Sequence, residues 1–201
     1  MKLVKFDIDK HDLDDVASLI YETDARTFKF YFKTKENATK KIKKLINASK
    51  NNLGHENIYI VTKEDEKEIF GLLMASKGSE ESIKRDFKTY FRTLNPYDAL
   101  KFVLFDIVDN MILSDLDDHD FYLGAVAVNE DCRGKGIGTF ILGKSLEIAR
   151  KKNCKRVVLD VDLENEGALR LYERFGFKIF NKKSIRWFSG EKGAFNMEYA
   201  L

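Results

Sequence analysis

The sequence predicts an α/β domain with a mixed sheet flanked by helices. Three observations lead there. Strand-like and helix-like stretches alternate along the chain. Two strand-like runs enclose the short polar stretch 63–67, as in a hairpin, and more such runs end the chain. Between these regions, at residues 126–139, an apolar strand enters a glycine-rich turn and then an amphipathic helix.

Taken in order, residues 3–8 read as a short strand. Residues 12–24 read as a helix, because Leu13, Val16, Leu19 and Ile20 recur three or four apart. A second helix near 38–50 carries Ile42, Leu45 and Ile46 on one face. Residues 57–62 and 68–75 are the hairpin strands. From 77 to 119 the spacing is helical again, first in Phe87, Tyr90, Phe91 and Leu94, then in Leu100, Val103, Leu104 and Ile107. This stretch reads as two helices inserted before the central strand. The single proline, Pro96, follows Asn95, an N-cap residue with proline at the first helical position. Residues 121–128 are mostly apolar, which suits a strand covered on both faces. A helix at 136–151, a strand at 156–161, a helix at 166–175 and two or three further strands complete the chain.

Composition excludes several functions. The 201 residues suffice for one domain with a full core, read as 1–201. With 35 basic and 33 acidic residues the net charge is +2, too small to draw nucleic acid or an anionic membrane. No stretch approaches the roughly 18 uninterrupted apolar residues of a membrane helix. The first residues lack the apolar core of a signal peptide. Cys132 and Cys154 have no metal-binding spacing and read as reduced thiols in a cytoplasmic protein, so no metal is expected.

The chemistry lies in the strand–turn–helix. At a helix start the first amide N–H groups have no intrahelical partner and carry the positive end of the helix dipole. Glycines let this backbone approach a ligand, which makes a phosphate site. Arg133 and Lys135 add positive charge. A Walker loop is absent, and GxGxxG fails because Thr139 stands where a glycine is needed. The alternative on general grounds is that the glycines only serve a tight turn.

The spacing Arg133-x-x-Gly136-x-Gly138 resembles the R/Q-x-x-G-x-G/A signature of the GNAT N-acetyltransferase superfamily. The resemblance continues in Leu159-x-Val161, Asn165, Ala168, Leu171-Tyr172-Glu173 and Phe175-Gly176-Phe177. Together these blocks cover a little over a quarter of the chain; the N-terminal half agrees only in element order. The resemblance implies a GNAT fold, a mixed and mostly antiparallel sheet whose central strands splay. It implies acetyl-CoA as acyl donor and a primary amine of a small molecule or protein as acceptor. The cofactor arm would pair with backbone of Val126, Ala127 and Val128, and its pyrophosphate would rest on Arg133, Gly134, Lys135, Gly136, Ile137, Gly138 and Thr139. Asn165 would contact the arm, or simply cap its helix. Tyr172 would be the catalytic acid that protonates the departing thiolate, or else a core tyrosine. The helical insertion would shape the acceptor pocket or form a homodimer contact.

The sequence also departs from the family. Members with a base on the central strand carry Glu or His eleven or nine residues before the motif arginine. Here Tyr122 and Gly124 stand there. Asp120 shares that strand face but lies too far out; Glu22 and Asp24, at the end of the first helix, fall in a region that often borders the acceptor site in the family, or are ordinary solvated surface. A lysine-like amine, with a pKa of about 10.4, is neutral in fewer than about one in a thousand molecules at pH 7, so a base normally helps. The missing base leaves a non-catalytic acyl-CoA-binding module as the alternative. The acidic run 115–120 around His119 lacks the glycine and glutamate of a calcium loop. It reads as solvated, or as an attractor for a cationic acceptor.

Overall fold

A computed structural model of the chain describes residues 1–64, 66–80, 83–187 and 190–201. Asp65 in the predicted hairpin turn, and Glu81 and Ser82 in the predicted helical insertion, lie outside the described residues.

Strands β1 (Lys2–Lys5), β2 (Ile58–Thr62), β3 (Ile69–Lys77), β4 (Asp120–Val128), β5 (Arg156–Asp162), β6 (Lys178–Trp187) and β7 (Gly190–Ala200) form one sheet in the order β1-β2-β3-β4-β5-β7-β6. β4 and β5 pair in parallel; β1–β2, β2–β3, β5–β7 and β6–β7 pair antiparallel. The helices are α1 (Leu13–Thr23), α2 (Ala25–Phe32), α3 (Lys35–Ala48), α4 (Ile83–Thr93), α5 (Pro96–Asn110), α6 (Ile137–Lys151) and α7 (Glu166–Phe175).

The predicted strand at 3–8 is shorter than expected. After Lys5 the chain turns, because His11 Nδ1 accepts the amide N–H of Asp7 and the Asp7 carbonyl accepts from Lys10 and His11. Those groups are then lost to the ladder. Helix α2 was not foreseen. Asp24 caps it, accepting from the Thr27 amide at 3.1 Å, and its Phe28 and Phe32 are buried one turn apart. Between β3 and β4 lie two helices as expected, α4 and α5, and Asn95 caps the second through Asp98 N–H, with Pro96 as its first residue.

The chain divides into two compact units. The first comprises Met1–Ala75, Ser82–Phe105 and Ala125–Ile141. Its core gathers Val16, Ile20, Phe32, Ile42, Leu45, Ile60, Leu72, Tyr90 and Phe102. The second comprises Ser76–Glu81, Asp106–Gly124 and Leu142–Leu201, and buries Phe121, Leu146, Val157, Leu159 and Met197 among others. β4 contributes its first half to the second unit and its second half to the first.

Candidate active site

In the first unit, β4 ends at Val128 and a short turn at Glu130–Cys132 leads to the glycine loop and α6. Asn129 secures the turn: its amide donates to Phe70 O at 2.9 Å, and its side chain accepts from Asp131 N–H at 3.3 Å. Gly134 and Gly136 have φ of +75° and +80°, the left-handed region that only glycine enters without strain. A side chain at either would meet no atom within 4 Å, so the loop is open on that side. The first helical bond runs from Phe140 N–H to Gly136 O at 3.0 Å. The amides of Ile137, Gly138 and Thr139 thus fall in the first turn, which has no intrahelical acceptors. Arg133 is exposed and donates through Nε to Val128 O at 3.3 Å; Lys135 donates to Asp131 O at 2.9 Å.

β4 itself changes character along its length. Asp120, Phe121 and Leu123 are buried, whereas Gly124 is exposed and Val126, Ala127 and Val128 are half-buried. The parallel register with β5 ends at Leu123↔Leu159. Residues 124–128 thus keep backbone groups on that edge outside the ladder. On the other side Gly71 of β3 makes room. A Cβ there would lie 2.6 Å from Ala127 O and 3.4–3.5 Å from the Ile141 and Ile137 side chains. No sequence motif marks Gly71; its role follows from the pairing.

In the second unit, Asn165 caps α7, accepting from Ala168 N–H at 3.1 Å. The helix ends in a Schellman motif. Gly176 is left-handed, its N–H reaches Glu173 O at 3.0 Å, and Phe177 N–H reaches Tyr172 O at 3.0 Å. The ring contact that accompanies such a cap joins Tyr172 to Phe177, edge-on at 5.9 Å. Tyr172 is buried, and burial pushes its phenol up to about 12. Its hydroxyl makes no hydrogen bond to a described residue.

The other acidic candidates have structural partners. Arg156 grips buried Asp120 with two bonds of 2.7 and 2.9 Å and bonds Glu198 at 2.7 Å, which raises the guanidinium pKa further. Glu22 pairs with Lys35 at 2.7 Å, and Asp24 caps α2. Within the acidic run, Asp115 pairs with Lys183 at 3.0 Å and Asp117 lies 3.7 Å from Arg156. A further cluster went unnoticed in the sequence. Asp160 of β5 accepts from Tyr122 Oη at 3.0 Å, Ser114 Oγ at 2.7 Å, Ser114 N–H at 3.1 Å and buried Asn196. The parallel register Tyr122↔Val158 is what brings Asp160 to the tyrosine's side of the sheet. Among the described residues no group of acidic, histidine or cysteine side chains could hold a metal ion. None of the described helices is long and apolar enough to cross a membrane.

The family model described as the acetyltransferase (GNAT) family matches residues 19–177. Among curated proteins, an uncharacterized N-acetyltransferase of Methanocaldococcus jannaschii is 43% identical over 53 residues, which cover 26% of this chain and 24% of that protein. N-alpha-acetyltransferase 30 of Saccharomyces cerevisiae is 33% identical over 76 residues, or 38% of this chain and 43% of that protein. The chain thus spans less than half the length of these relatives. Among solved structures, an N-acetyltransferase from Staphylococcus aureus Mu50 superposes with a TM-score of 0.74 at 19% identity, covering 99% of this chain and all of that one. A NatC complex bound to Gag peptide and CoA gives a TM-score of 0.56 at 17% identity, covering 100% of this chain and 99% of that one. At such identities these two likenesses concern the fold.

Proposed function

Because this chain belongs to the acetyltransferase (GNAT) family, we propose that it transfers the acetyl group of acetyl-CoA directly to a primary amine. One observation carries the reading: an open loop with two left-handed glycines at the start of α6, flanked by Arg133 and Lys135. Its amides suit a pyrophosphate in chemistry and charge. The backbone of Val126, Ala127 and Val128, past the last β4–β5 pair at Leu123↔Leu159, suits an amide-bearing arm, as an unpaired strand edge accepts another strand.

In this reading the acceptor amine attacks the thioester carbonyl, forming the C–N bond. Backbone N–H near Val128 polarises the carbonyl oxygen. The tetrahedral intermediate then breaks its C–S bond, and the amine proton is lost to solvent. Tyr172 is assigned to the departing sulfur. Held at about 12, its phenol is fully protonated at neutral pH and can donate a hydrogen bond. Full proton transfer to a thiolate of pKa about 8.5 would be uphill by roughly 5 kcal/mol. Its work is therefore stabilisation of the leaving thiolate by a hydrogen bond. Asn165 uses Oδ1 to cap α7, and its amide NH2 group is assigned to the cofactor arm.

Chemistry also favours one acceptor class. An α-amino group has a pKa of about 7.7 to 8.0, so roughly one in seven is neutral at pH 7, a cost of about 1 kcal/mol against four or more for lysine. Tyr122 and Gly124 offer no carboxylate or imidazole, which suits an amine that needs little help. Relatives named N-alpha-acetyltransferase point the same way. Initial rates on a peptide with a free α-amine and on an α-blocked lysine peptide, from neutral pH to about pH 9, test the assignment. The α-amine peptide should be acetylated faster at neutral pH, with a rate that levels near its own pKa. Equal rates at neutral pH would remove the α-amine preference.

A further inference from the structure

The net charge of +2 hides a strong segregation. Nine of the 35 basic residues fall between 26 and 50, against a single acid, Glu36. This segment therefore carries +8, and the rest of the chain holds six more acidic than basic residues. A charge so concentrated makes a local field that the small total does not reveal. The segment is α2, α3 and the first residues past α3, all within the first unit. Asn37 ties the two helices together, donating from Nδ2 to Phe32 O at 3.0 Å.

Some of this charge is neutralised within the fold. Lys35 pairs with Glu22 at 2.7 Å and Lys43 with Asp14 at 2.6 Å, while Lys41 is buried 3.5 Å from Asp98. Lys29, Lys33, Lys40 and Lys44 are all exposed, and none has a carboxylate partner among the described residues. They form two pairs, 29 with 33 and 40 with 44, at the four-residue spacing where like charges repel along a helix. Lys33 also holds a φ of +69°, a backbone region that glycine enters more easily. α3 begins with Lys35 and has no basic residue in its last turn, the reverse of what its dipole favours. Helix stability does not account for these lysines, whereas an anion arriving from outside does.

The chemistry of that anion follows from what surrounds the lysines. Ile42, Leu45 and Ile46 of α3 are fully buried, so the helix has no apolar face left to sink into a bilayer, as a membrane-surface helix needs. Lys40 and Lys44 stand about 6 Å apart along the helix axis, which suits a string of charges better than a single one. Between Lys29 and Lys33 stands Phe30, 56% exposed. Lysines that follow a phosphate backbone and an exposed ring on which a base stacks are the two parts of a single-strand site.

We propose that the exposed lysines of α2 and α3 bind a single-stranded nucleic acid, with Lys29, Lys33, Lys40 and Lys44 neutralising phosphates and Phe30 stacking on a base. RNA and DNA share this chemistry. The idea is independent of acetyl transfer, and its test needs no acetyl-CoA.

The test is fluorescence anisotropy of labelled oligouridylate and oligothymidylate of about twelve nucleotides, titrated with the full chain. Micromolar binding at about 50 mM salt should weaken toward about 200 mM, with log K falling on log salt at a slope near −3 for about four phosphates. Lys40→Gln/Lys44→Gln should halve that slope and weaken binding at least fivefold, with unchanged circular dichroism and melting temperature. Phe30→Ala should weaken binding at least fivefold and leave the slope as it is, which separates stacking from charge. Lys151→Gln/Lys155→Gln, at exposed lysines of the second unit, should change neither. Tighter binding of one oligonucleotide identifies which of the two sugars the surface favours. No binding at about 50 mM salt overturns the proposal. So does binding that the control pair weakens as much as the α3 pair, or that Phe30→Ala leaves untouched. Phosphatidylserine vesicles or polyglutamate bound more tightly than both oligonucleotides would also overturn it, in favour of a lipid surface or an acidic protein.

Discussion

Tyr172 owes its position to the end of its own helix. The left-handed Gly176 closes the last turn and folds Phe177 back onto the tyrosine ring. Tyr172→Phe removes a hydroxyl that has no hydrogen-bond partner among the described residues, so the fold should lose little or nothing. On the proposed mechanism kcat should fall by about ten- to a hundredfold with KM for acetyl-CoA nearly unchanged, since a hydrogen bond to the leaving thiolate acts in the transition state. The raised phenol also links stability to pH. The ordinary tyrosine value is 10.0 and the folded value about 12, so above pH 10 the unfolded chain releases this proton first. The folded state then holds more protons, and stability that is complete below pH 10 drains away as pH rises toward 12. Urea midpoints at about pH 9 and about pH 11 should show a steeper loss for wild type than for Tyr172→Phe. Gly71 makes a second residue-level case. In Gly71→Ala the new methyl would meet Ala127 O at 2.6 Å, and β3 or β4 must move. A loss of about 1 to 3 kcal/mol in chemical unfolding is expected, together with weaker acetyl-CoA binding. Unchanged stability would mean that the two strands have slack the structure does not show.

At the level of elements, the glycine loop combines two separable features. Gly134 and Gly136 need their left-handed backbone, yet no atom crowds them. Gly136→Ala should therefore cost about 1 to 2 kcal/mol of backbone strain without a clash. Its larger effect should be on acetyl-CoA affinity, readable by calorimetry as at least a tenfold weaker Kd. Elements with strong local signals were legible in the sequence. Asp12 before α1, Asn95-Pro96 before α5, and Asn165 and Gly176 around α7 are all caps whose chemistry is written in neighbouring residues. Helix α2 escaped notice because ARTFKFYF is rich in aromatic residues of modest helix propensity. What holds it is Asp24 at its start and the tertiary burial of Phe28 and Phe32. The same limit explains the overlong first strand: its end is fixed by His11, which reaches back to Asp7.

For the whole molecule, the sequence reveals what is contiguous and conceals what is paired. The glycine loop before α6 is a local pattern and could be singled out before any fold. The cluster of Asp160, Tyr122, Ser114 and Asn196 could not, because it brings together residues as distant in the chain as Ser114 and Asn196. The acidic run is a converse case. It reads as solvated surface, yet Asp120 is buried under Arg156, and Asp115 and Asp117 lie near Lys183 and Arg156. Charge counts along a chain do not show such neutralisation.

The central claim is acetyl transfer from acetyl-CoA, and the most direct measurement is thiol release from acetyl-CoA in the presence of peptides with free α-amines. It would be run on wild type and Tyr172→Phe, with Cys132 and Cys154 subtracted as background thiols. The account predicts amine-dependent release, a matching acetylated peptide by mass, and a rate that drops in the variant while acetyl-CoA still raises the melting temperature of both proteins. Stabilisation by acetyl-CoA without turnover of any amine would contradict the enzymatic reading and leave a binding module; the absence of both would contradict the cofactor site itself.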